Sequence, residues 1–402
     1  MYSMQPSTTN RFSQFPLTRL QCNSSARRHC PPKTHLSELQ KGLLDWFAEH
    51  KRPLPWRASY TPYEVWISEI MLQQTQMERG VQYFKRWMTR FPDVRSLAAA
   101  SEDEVLRLWE GLGYYSRARH ILAAARHIVQ EHKGRFPSDL AAIRALPGVG
   151  PYTAGAIASI AFGKKLPCVD ANVERVLARI LNIDTPVKQE PAASNIRETA
   201  LKLVPEGKAR EHNQAIMELG ALVCARIPRC DRCPVSVYCI SNYEGLTDKR
   251  PVPGKKIAVK PFVVATGVLL HRGRIFVQKR HIGRVWGNLW EFPGGKVNEG
   301  ENAKTAVVRK FLEETGFAVY TAQEYGIIRH SYTTYKITMH CFGVELKNPP
   351  CLTDSLPPPP LLTAACAWQW ADPAAIETLP MPAPHRKLAQ QIFATSEQQC
   401  LN

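Results

Sequence analysis

The sequence predicts a multidomain protein in which an all-α domain precedes an α+β domain. Between residues 36 and 240 apolar residues recur at three- and four-residue intervals, which is the period of amphipathic helices. A polar and basic linker follows at residues 241–260, and beyond it short apolar runs are typical of strands. With 402 residues the chain is long enough for two domains that each bury a core. We therefore assign the helical domain to 36–240 and the α+β domain to 261–402.

The charge of the chain indicates a polyanionic partner. Lysine and arginine total 52 against 35 aspartates and glutamates, which gives a formal net charge of +17. Such an excess attracts nucleic acids or anionic membrane surfaces, and the 9% aromatic content argues against a merely disordered basic protein. Charge alone does not decide between these partners, but no stretch approaches the roughly 20 continuous apolar residues of a membrane span. We expect a soluble protein that does not bind membranes.

The N-terminal segment is basic and polar. Its first 37 residues contain no acidic side chain and include four arginines among many Ser, Thr and Asn. This composition is typical of an organelle transit peptide, of a disordered basic tail or of a mis-assigned start codon. No apolar secretory core is present. We expect residues 1–35 to be a disordered tail and the protein to be cytoplasmic and associated with a bacterial nucleoid, with organelle targeting left open.

Local signals define the helices of the first domain. Residues 61–64 (Thr-Pro-Tyr-Glu) combine a capping Thr, a Pro in the first turn and a Glu three residues after the cap. Residues 146–150 (Leu-Pro-Gly-Val-Gly) predict a tight turn whose backbone N–H groups suit a nucleic-acid phosphate. The same pentapeptide is also compatible with an ordinary turn between two helices. Four apolar repeats predict helices at residues 97–109, 118–129, 139–146 and 173–181.

The C-terminal domain alternates between strand and helix patterns. Residues 262–270 and 274–280 predict two strands around a His-Arg-Gly turn, and residues 336–346 predict another. Residues 303–314 predict a helix among them, and the proline run at 357–360 predicts a loop. The second domain is therefore expected to be α+β.

Four cysteines lie close together near the end of the helical region. Cys224, Cys230, Cys233 and Cys239 are separated by five, two and five residues. Four thiolates in so short a segment satisfy either one tetrahedral metal ion or one cubane cluster. The spacing alone leaves zinc and [4Fe–4S] open, and it indicates a reducing compartment rather than a disulfide framework.

Two carboxyl groups occupy opposite local environments. Glu69 lies within a helix between apolar neighbours, and such surroundings raise the pKa of a carboxyl group. Asp170 precedes an apolar helical stripe, where backbone amides and the helix dipole favour the anion. One proton donor and one anion are what acid-assisted glycosidic cleavage requires. Each residue also has an ordinary structural interpretation, Glu69 as an arginine partner and Asp170 as a helix cap.

Several motifs resemble those of one enzyme family. Residues 36–240 are similar to the helix-hairpin-helix DNA glycosylases, and more closely to their adenine-specific MutY branch. The cysteine segment resembles the [4Fe–4S] loop of endonuclease III-type members, although its first gap is one residue shorter than their usual six. In the aspartate motif Ala171 stands where the family usually has Gly. The matching motifs are residues 65–76, 111–115, 146–156 and 169–173.

The resemblance implies a chemistry for the two carboxyl groups. Glu69 would protonate the ring nitrogen of an extruded adenine, and Asp170 would stabilise the positively charged sugar. Extrusion is needed because a stacked base cannot be reached. Tyr152 stands where lyase-type members carry a Schiff-base lysine, which implies hydrolysis without strand nicking, although Tyr152 also suits plain packing. Asn172 would orient either the water or Asp170.

The resemblance also implies which residues contact DNA. Gly148 and Gly150 belong to the phosphate-binding hairpin, and Tyr114 matches an aromatic wedge inserted beside the damaged base. For Tyr114, and for Arg57, Gln74 and Thr75, a structural role is an equal alternative. The remaining contacts, to the adenine pocket or the opposing base, are Arg57, Gln74, Thr75 and Glu218.

Residues 295–317 resemble a Nudix box with one substitution. The box uses glutamates to hold a divalent metal against a nucleotide diphosphate, but Lys310 replaces the first of three clustered glutamates. We expect the fold to persist without nucleotide hydrolysis. MutY proteins use such a domain to recognise 8-oxoguanine, and here Tyr332 would stack on the base and Thr333 would donate a hydrogen bond.

These observations predict a monofunctional glycosylase that removes adenine opposite 8-oxoguanine or guanine in double-stranded DNA. We expect a monomer that carries a [4Fe–4S] cluster on the four cysteines. Three rival hypotheses are a nucleotide pyrophosphohydrolase that uses Glu313 and Glu314, a non-catalytic damage-binding protein, and a lyase-type pyrimidine glycosylase.

Overall fold

The computed structural model describes residues 36–255, 258–332, 334–349 and 356–400. The predictions for residues 1–35 and for Thr333 lie outside these residues, and only the backbone of Tyr332 is described. The described chain divides into two compact units. The first draws on residues 36–66, 138–145 and 149–255, and the second on residues 67–137, 146–148 and 258–400. Within the described residues no helix is long and apolar enough to cross a membrane.

Helices dominate the chain up to residue 243. The described residues form fifteen α-helices, α1 to α15, with short 3₁₀ turns at Pro55–Arg57, Cys230–Arg232 and Ser236–Tyr238 and a π-helical turn at Ile157–Ala161. In order, α1 to α15 are Leu36–His50, Pro62–Met71, Met77–Arg90, Val94–Ala98, Glu102–Trp109, Ser116–Glu131, Leu140–Ala145, Pro151–Ala156, Ala171–Ile180, Ala192–Leu203, Ala209–Leu222, Ile240–Tyr243, Ala303–Thr315, Pro373–Thr378 and Ala383–Cys400.

The helix-start signals operate as predicted. The Glu64 N–H donates to Thr61 Oγ1 (3.2 Å) at the start of α2. One predicted helix is wrong in its extent, because residues 97–109 contain two helices, α4 and α5. Ser101 accepts the Glu104 N–H through its hydroxyl, so α5 begins with its own cap and the chain turns before it.

The C-terminal α+β domain contains a mixed sheet. Its seven described strands, β1 to β7, are Lys260–His271, Arg274–Arg280, Trp290–Glu291, Gly294–Lys296, Val319–Tyr332, Tyr335–Leu346 and Ala365–Ala371. The central order is β3-β2-β1-β6-β5, with β4 beside β1 and β7 beside β2. The β1–β6 pair is parallel, with Ala265 opposite His340, and the other pairs are antiparallel. The predicted α+β class is confirmed.

Both faces of this sheet are covered by helices. Ala265 and Leu269 of β1 pack with Phe311 of α13 on one face. Val268, one residue before Leu269, packs with Leu388 of α15 on the other face. The alternation follows from the two-residue period of a strand, which sends neighbouring side chains to opposite faces.

In the first unit, α1, α9 and α11 form one core. Leu43, Val176 and Leu219, one from each helix, are buried together. Gly220 of α11 lies against the first turn of α9, where a Cβ atom would stand 2.6 Å from Asn172 Cβ. Only a glycine permits this approach, and it brings α11 onto the residues that follow Asp170.

Candidate active site

Asp170 is the N-cap of α9, as its position before the apolar stripe predicts. Its Oδ1 accepts the Val173 N–H (2.8 Å), and its Oδ2 accepts Asn172 Nδ2 (3.0 Å). The sequence-based expectation that this position favours the ionised form of Asp170 is wrong. Burial raises the pKa of Asp170 above its ordinary value, and the hydrogen bonds from Val173 and Asn172 only partly oppose that rise. Asp170 is therefore a half-buried acid whose negative charge costs free energy.

Asn172 connects this carboxyl group to α11 and to the cysteine segment. Its Nδ2 donates to Asp170, which matches one of its two predicted roles. Its Oδ1 accepts Arg175 Nη2 (2.7 Å), which also donates to the carbonyl of Gly220 (2.7 Å). Arg175 Nε donates to the carbonyl of Cys224 (2.8 Å). One arginine, which the sequence analysis missed, thus links the orientation of Asp170 to the cysteine segment.

The four predicted metal ligands line one pocket. Cys224, Cys230, Cys233 and Cys239 surround it together with residues of α9 and α11, and all four are free thiols. Arg179 Nη1 donates to Cys224 Sγ (3.3 Å) and to the Ala225 carbonyl (2.7 Å). Within the described part of the chain, no three His, Cys, Asp or Glu side chains converge on one possible metal position.

Arg57 and Glu218, two predicted substrate contacts, bind each other. Glu218 is 2% exposed, and its carboxylate accepts Arg57 Nη2 (3.0 Å) and Arg52 Nε (2.8 Å). Burial alone would raise the pKa of Glu218, but the hydrogen bonds from Arg52 and Arg57 outweigh it and lower the pKa to about 2. Arg57 also donates to Gln214 Oε1 (2.9 Å). Glu218 is therefore a permanent anion that holds two arginines.

Glu69 and Asp170 belong to different compact units. Glu69 lies in the second half of α2 and is half-buried, between the buried residues Ser68 and Ile70. Trp66 and Met71 of the same helix are also buried. The role of Glu69 as a proton donor stays a prediction.

Gln74, Thr75 and Tyr114 lie on two loops that one arginine connects. Gln74 (φ 58°) and Tyr114 (φ 49°) both have left-handed backbone conformations, which are uncommon outside glycine. Arg117 Nη1 donates to the carbonyls of Ile70 (2.7 Å) and Gln73 (2.8 Å), before and within the first loop. Its Nη2 donates to the carbonyls of Leu112 and Gly113 in the second loop (both 3.1 Å).

Arg117 has carbonyl groups as its partners, not an acid. Among the described residues no carboxylate lies within 4.0 Å of it, and its guanidinium lies over the rings of Trp109 and Tyr114 at 5.1 and 5.6 Å. Burial lowers the pKa of Arg117 to about 10, so the side chain keeps its charge at neutral pH. No sequence pattern indicated Arg117, which lies two residues after the Gly-Leu-Gly-Tyr-Tyr motif at 111–115.

The hairpin turn between α7 and α8 has the predicted geometry. Gly148 has φ 74°, and a Cβ there would stand 2.4 Å from His120 Cβ, so the turn requires glycine. Gly150 is the N-cap of α8, and Pro151 follows at the first helical position. Because Gly150 has no side chain, the first turn of α8 receives no side-chain cap.

Tyr152 packs against an apolar cluster of the first unit. The cluster contains Val65, Ala156, Ile160 and Cys168. This contact supports the packing interpretation that the sequence left open. The absence of a lysine at this position is independent of that interpretation.

The Nudix-like carboxylates are all engaged by groups of the chain itself. Arg309 Nε donates to Glu301 (2.8 Å) and Arg309 Nη1 to Glu313 (2.9 Å), while Lys310 Nζ donates to Glu313 (2.8 Å). Glu314 accepts Gln278 Nε2 (2.8 Å) and is buried. The hydrogen bond from Arg309 lowers the pKa of Glu301 to about 2. Lys310 thus occupies the space beside Glu313 and neutralises it.

A cavity of about 430 Å³ lies next to this box. Glu291 is buried in its wall, pairs with Arg280 (2.6 Å) and lies 3.8 Å from His385 Nε2. Burial raises the pKa of Glu291 to about 7 despite Arg280. No sequence pattern indicated this group, because its members come from β2, β3 and α15.

Two family models match the chain. The HhH-GPD superfamily of base excision DNA repair proteins matches residues 67–206, and the NUDIX domain family matches residues 265–391. Both matches agree with the predicted order of the two domains.

Curated relatives share one name. An adenine DNA glycosylase from Arabidopsis thaliana is 37% identical over 320 residues, which cover 69% of this chain and 51% of that protein. This chain thus spans about half the length of that relative. One from Buchnera aphidicola (Acyrthosiphon pisum) is 35% identical over 259 residues, or 64% of this chain and 74% of that protein.

A third relative covers most of both sequences. The adenine DNA glycosylase of Rattus norvegicus is 31% identical over 400 residues, which cover 85% of this chain and 76% of that protein. With a helix-hairpin-helix region, a half-buried N-capping aspartate and a Nudix fold in this order, the chain belongs to the adenine DNA glycosylase family.

Proposed function

We propose that this protein hydrolyses the N-glycosidic bond of adenine paired with 8-oxoguanine or guanine in double-stranded DNA. The product is an abasic site, with little or no strand cleavage. The observation that carries the proposal is Asp170, a half-buried carboxyl group held at a helix start by Val173 and Asn172. A carboxylate whose charge is poorly solvated gains most when a positive charge develops beside it.

Asp170 stabilises the sugar cation in this proposal. Both of its oxygens are oriented, one by the Val173 amide and one by Asn172, so the carboxylate does not have to reorganise during the reaction. Arg175 holds Asn172 in turn. Asn172 and Arg175 are positioning residues, because they act through Asp170.

Glu69 donates the proton that lets adenine leave. Glu69 is half-buried in the second half of α2, beside the buried Ile70. As the C–N bond breaks, the bonding electrons go to the base and the Glu69 proton neutralises the ring. Water then adds to the sugar cation, and the proton that it releases returns to the Glu69 carboxylate. Without a lysine at position 152 no Schiff base forms there, so the strand stays intact.

The DNA-contacting residues form three groups in this proposal. Gly148 and Gly150 bind a phosphate at the hairpin, where a helix begins without a side-chain cap. Gln74, Thr75 and Tyr114 contact the opposing base and the gap left by adenine. Arg57 contacts the adenine pocket, and we revise Glu218 to the residue that holds Arg57, because both of its oxygens are bonded.

The four cysteines are proposed to bind a [4Fe–4S] cluster. They line one pocket, and their spacing of five, two and five residues resembles the [4Fe–4S] loop of endonuclease III-type glycosylases. When bound, the cluster would supply cross-links within the segment 224–239. Arg179 and Arg175 join this segment to α9.

The C-terminal domain is proposed to recognise 8-oxoguanine. Tyr332 ends β5 and lies opposite Tyr335, the first residue of β6, at one end of this strand pair. Segments that connect strands are the parts of a sheet most accessible to a partner. Contacts from Tyr332 and Thr333 stay predictions.

One assay tests the proposed function. Purified protein is incubated with a duplex that contains one adenine opposite 8-oxoguanine, and the strand is analysed with and without hot alkali. We expect cleavage only after alkali, and preferential reaction over a duplex with adenine opposite thymine. An intact strand after alkali would contradict adenine removal, and cleavage without alkali would contradict the monofunctional assignment.

A further inference from the structure

The loop that carries Tyr114 is bonded to the C-terminal domain at both of its ends. We call residues 111–114 the insertion loop. Before it, the Glu110 carboxylate accepts Arg386 Nε (2.6 Å) and the Met381 N–H (3.1 Å). After it, the Tyr115 hydroxyl donates to the Met381 carbonyl (3.2 Å). All of these residues belong to the second compact unit.

These contacts are buried and directional. The side chains of Glu110 and Arg386 are 8% and 11% exposed, and Arg386 Nη2 adds a second hydrogen bond to Glu110 (3.1 Å). Two donors on one carboxylate fix its orientation as well as its distance. Arg386 also donates to the carbonyl of Ile376 (2.9 Å) at α14, so it is held from the side of the C-terminal domain.

The insertion loop itself has a constrained shape. Gly111 and Gly113 have φ of 96° and 71°, and Tyr114 has φ 49°. The indole of Trp109 donates to the carbonyl of Gly113 (3.0 Å), and Arg79 donates to that of Gly111 (2.6 Å). Because a left-handed non-glycine residue persists only when its surroundings hold it, a shift of either loop end changes the position of Tyr114.

Other contacts of the same surface leave the loop untouched. Lys279 Nζ of β2 binds Asp103 (2.7 Å) at the start of α5, and Asn288 Nδ2 donates to Glu102 (2.8 Å) beside it. These contacts attach the domain to the far end of α5. They therefore provide a matched control for contacts that reach the loop.

We propose that Glu110, Arg386 and Met381 form a linkage through which the C-terminal domain positions Tyr114. When the C-terminal domain recognises the base opposite adenine, the linkage favours insertion of the Tyr114 ring into the DNA. The inference rests on the proposed function, in which the C-terminal domain recognises the base opposite adenine. Glu110 and Arg386 are positioning residues, and their contribution is a coupling between two sites.

The test compares Arg386→Met with Lys279→Met in the full-length protein. Single-turnover rate constants are measured for adenine opposite 8-oxoguanine and opposite guanine. Arg386→Met is expected to lower the ratio of these constants by roughly tenfold, a typical size for coupling between sites. Lys279→Met breaks an ion pair of the same surface and is expected to preserve the ratio.

Hydrogen exchange provides a readout that needs no catalysis. Arg386→Met should accelerate amide exchange in the insertion loop, whereas Lys279→Met should not. If Arg386→Met does not fold, Tyr115→Phe removes the hydrogen bonds of the hydroxyl group with the Met381 carbonyl and the Gly111 N–H. It should show the same changes at smaller size. A double variant, Glu110→Arg with Arg386→Glu, exchanges the two charges and should recover part of the ratio of the two rate constants.

The outcomes separate the two proposals. A wild-type ratio retained in Arg386→Met, with unchanged exchange in the insertion loop, would overturn the linkage even if the melting temperature falls. Failure of the wild-type protein to release adenine would contradict the proposed function instead. The exchange comparison would then still decide whether the C-terminal domain holds the loop.

Discussion

At the scale of single residues, burial decides the state of the acids. Asp170 is half-buried and Glu218 is buried. Burial raises the pKa of Asp170, whereas the two arginines lower the pKa of Glu218 to about 2. The difference lies in the partners, because Asp170 receives neutral N–H donors and Glu218 receives two cations. The neutral partners of Asp170 suit a group that takes part in the reaction, and the cationic partners of Glu218 suit a group with a structural role.

Substitution of Asp170 tests this assignment through stability. A carboxyl group with a raised pKa binds more protons in the native than in the unfolded state. Its contribution to the free energy of unfolding therefore falls as the pH rises from the ordinary pKa of 3.8 through the pKa of the folded state. Asp170→Asn should therefore abolish adenine release and raise the melting temperature at pH 7. The gain should disappear at pH values below 3.8. Thermal scans at both pH values check this, and a loss of stability at pH 7 would contradict it.

Substitution of Glu218 should have the opposite effect on stability. Its pKa of about 2 means that its contribution is present above the ordinary value of 4.5 and is lost as pH falls toward 2. Glu218→Gln leaves two arginines without their anion and should cost about 3–5 kcal/mol in the free energy of unfolding. Glu190→Gln, which breaks an exposed pair with Arg197, is the control and should change little in a urea titration.

Substitution of Glu69 tests the proton donor. Glu69→Gln keeps the size of the side chain and removes its proton, so the single-turnover rate should fall by about 10²–10⁴-fold. DNA binding should stay within about twofold, because the amide retains hydrogen-bonding groups. Glu64→Gln, on the first turn of the same helix, is the control. Equal rates for the Glu69 and Glu64 variants would exclude Glu69 as the acid.

At the scale of elements, loops are held by arginine contacts to helix ends. Arg117 caps the end of α2 and the loop after α5. Arg126, on the same helix α6, donates to the carbonyls of Ala98 and Ala100 at the end of α4. A cation at the C-terminal end of a helix interacts favourably with its dipole, so both arginines stabilise, but only Arg117 does so at candidate DNA-contacting loops.

This pair of arginines gives a matched test. Arg117→Gln and Arg126→Gln should each lower the free energy of unfolding, by about 1.5–3 kcal/mol for the lost charged hydrogen bonds. Only Arg117→Gln should also weaken binding of the mismatched duplex, since it frees the loops of Gln74 and Tyr114. Denaturation and fluorescence-anisotropy titrations measure the two effects. Equal DNA affinity in both variants would mean that Arg117 serves stability alone.

Sequence patterns predicted most elements but not all of them. The strand β5 (Val319–Tyr332) was missed because its register shifts twice, near Thr321 and near Tyr325, so its alternation is interrupted. The helix predicted at 97–109 was divided by the Ser101 cap, because an apolar repeat shows a shared face and not a break in the backbone. Periodicity thus reports burial, while turns and bulges depend on local hydrogen bonds.

At the scale of the whole molecule, the Nudix-like domain keeps its fold while its carboxylates serve other contacts. The sheet and α13 bury a core around Phe311, and Lys310 pairs with Glu313 on the outer side of the same helix. Core packing and metal ligands occupy different faces of a helix, so one changes without the other.

Restoration of the glutamate tests this interpretation. Lys310→Glu replaces a cation with a hard oxygen ligand beside Glu313 and Glu314, and it should confer Mg²⁺ binding with weak release of pyrophosphate from nucleoside triphosphates. Calorimetry and a pyrophosphate assay with and without chelator measure both. Lys304→Glu, at an exposed position of the same helix, is the control. No gain in Lys310→Glu would show that Lys310 is not what opposes metal binding.

The sequence by itself determined what depends on neighbouring residues in the chain. It predicted the N-cap at Asp170, the hairpin at Gly148 and the change from helices to strands at residue 260, and it contains the spacing of the four cysteines. These features are local, because caps, turns and periodicity depend on residues that are close together in the chain. Tertiary structure decided what depends on distant segments. The raised pKa of Asp170, the four carbonyl partners of Arg117 and the contact of Arg386 with Glu110 follow from burial and from acceptors that no local pattern reveals.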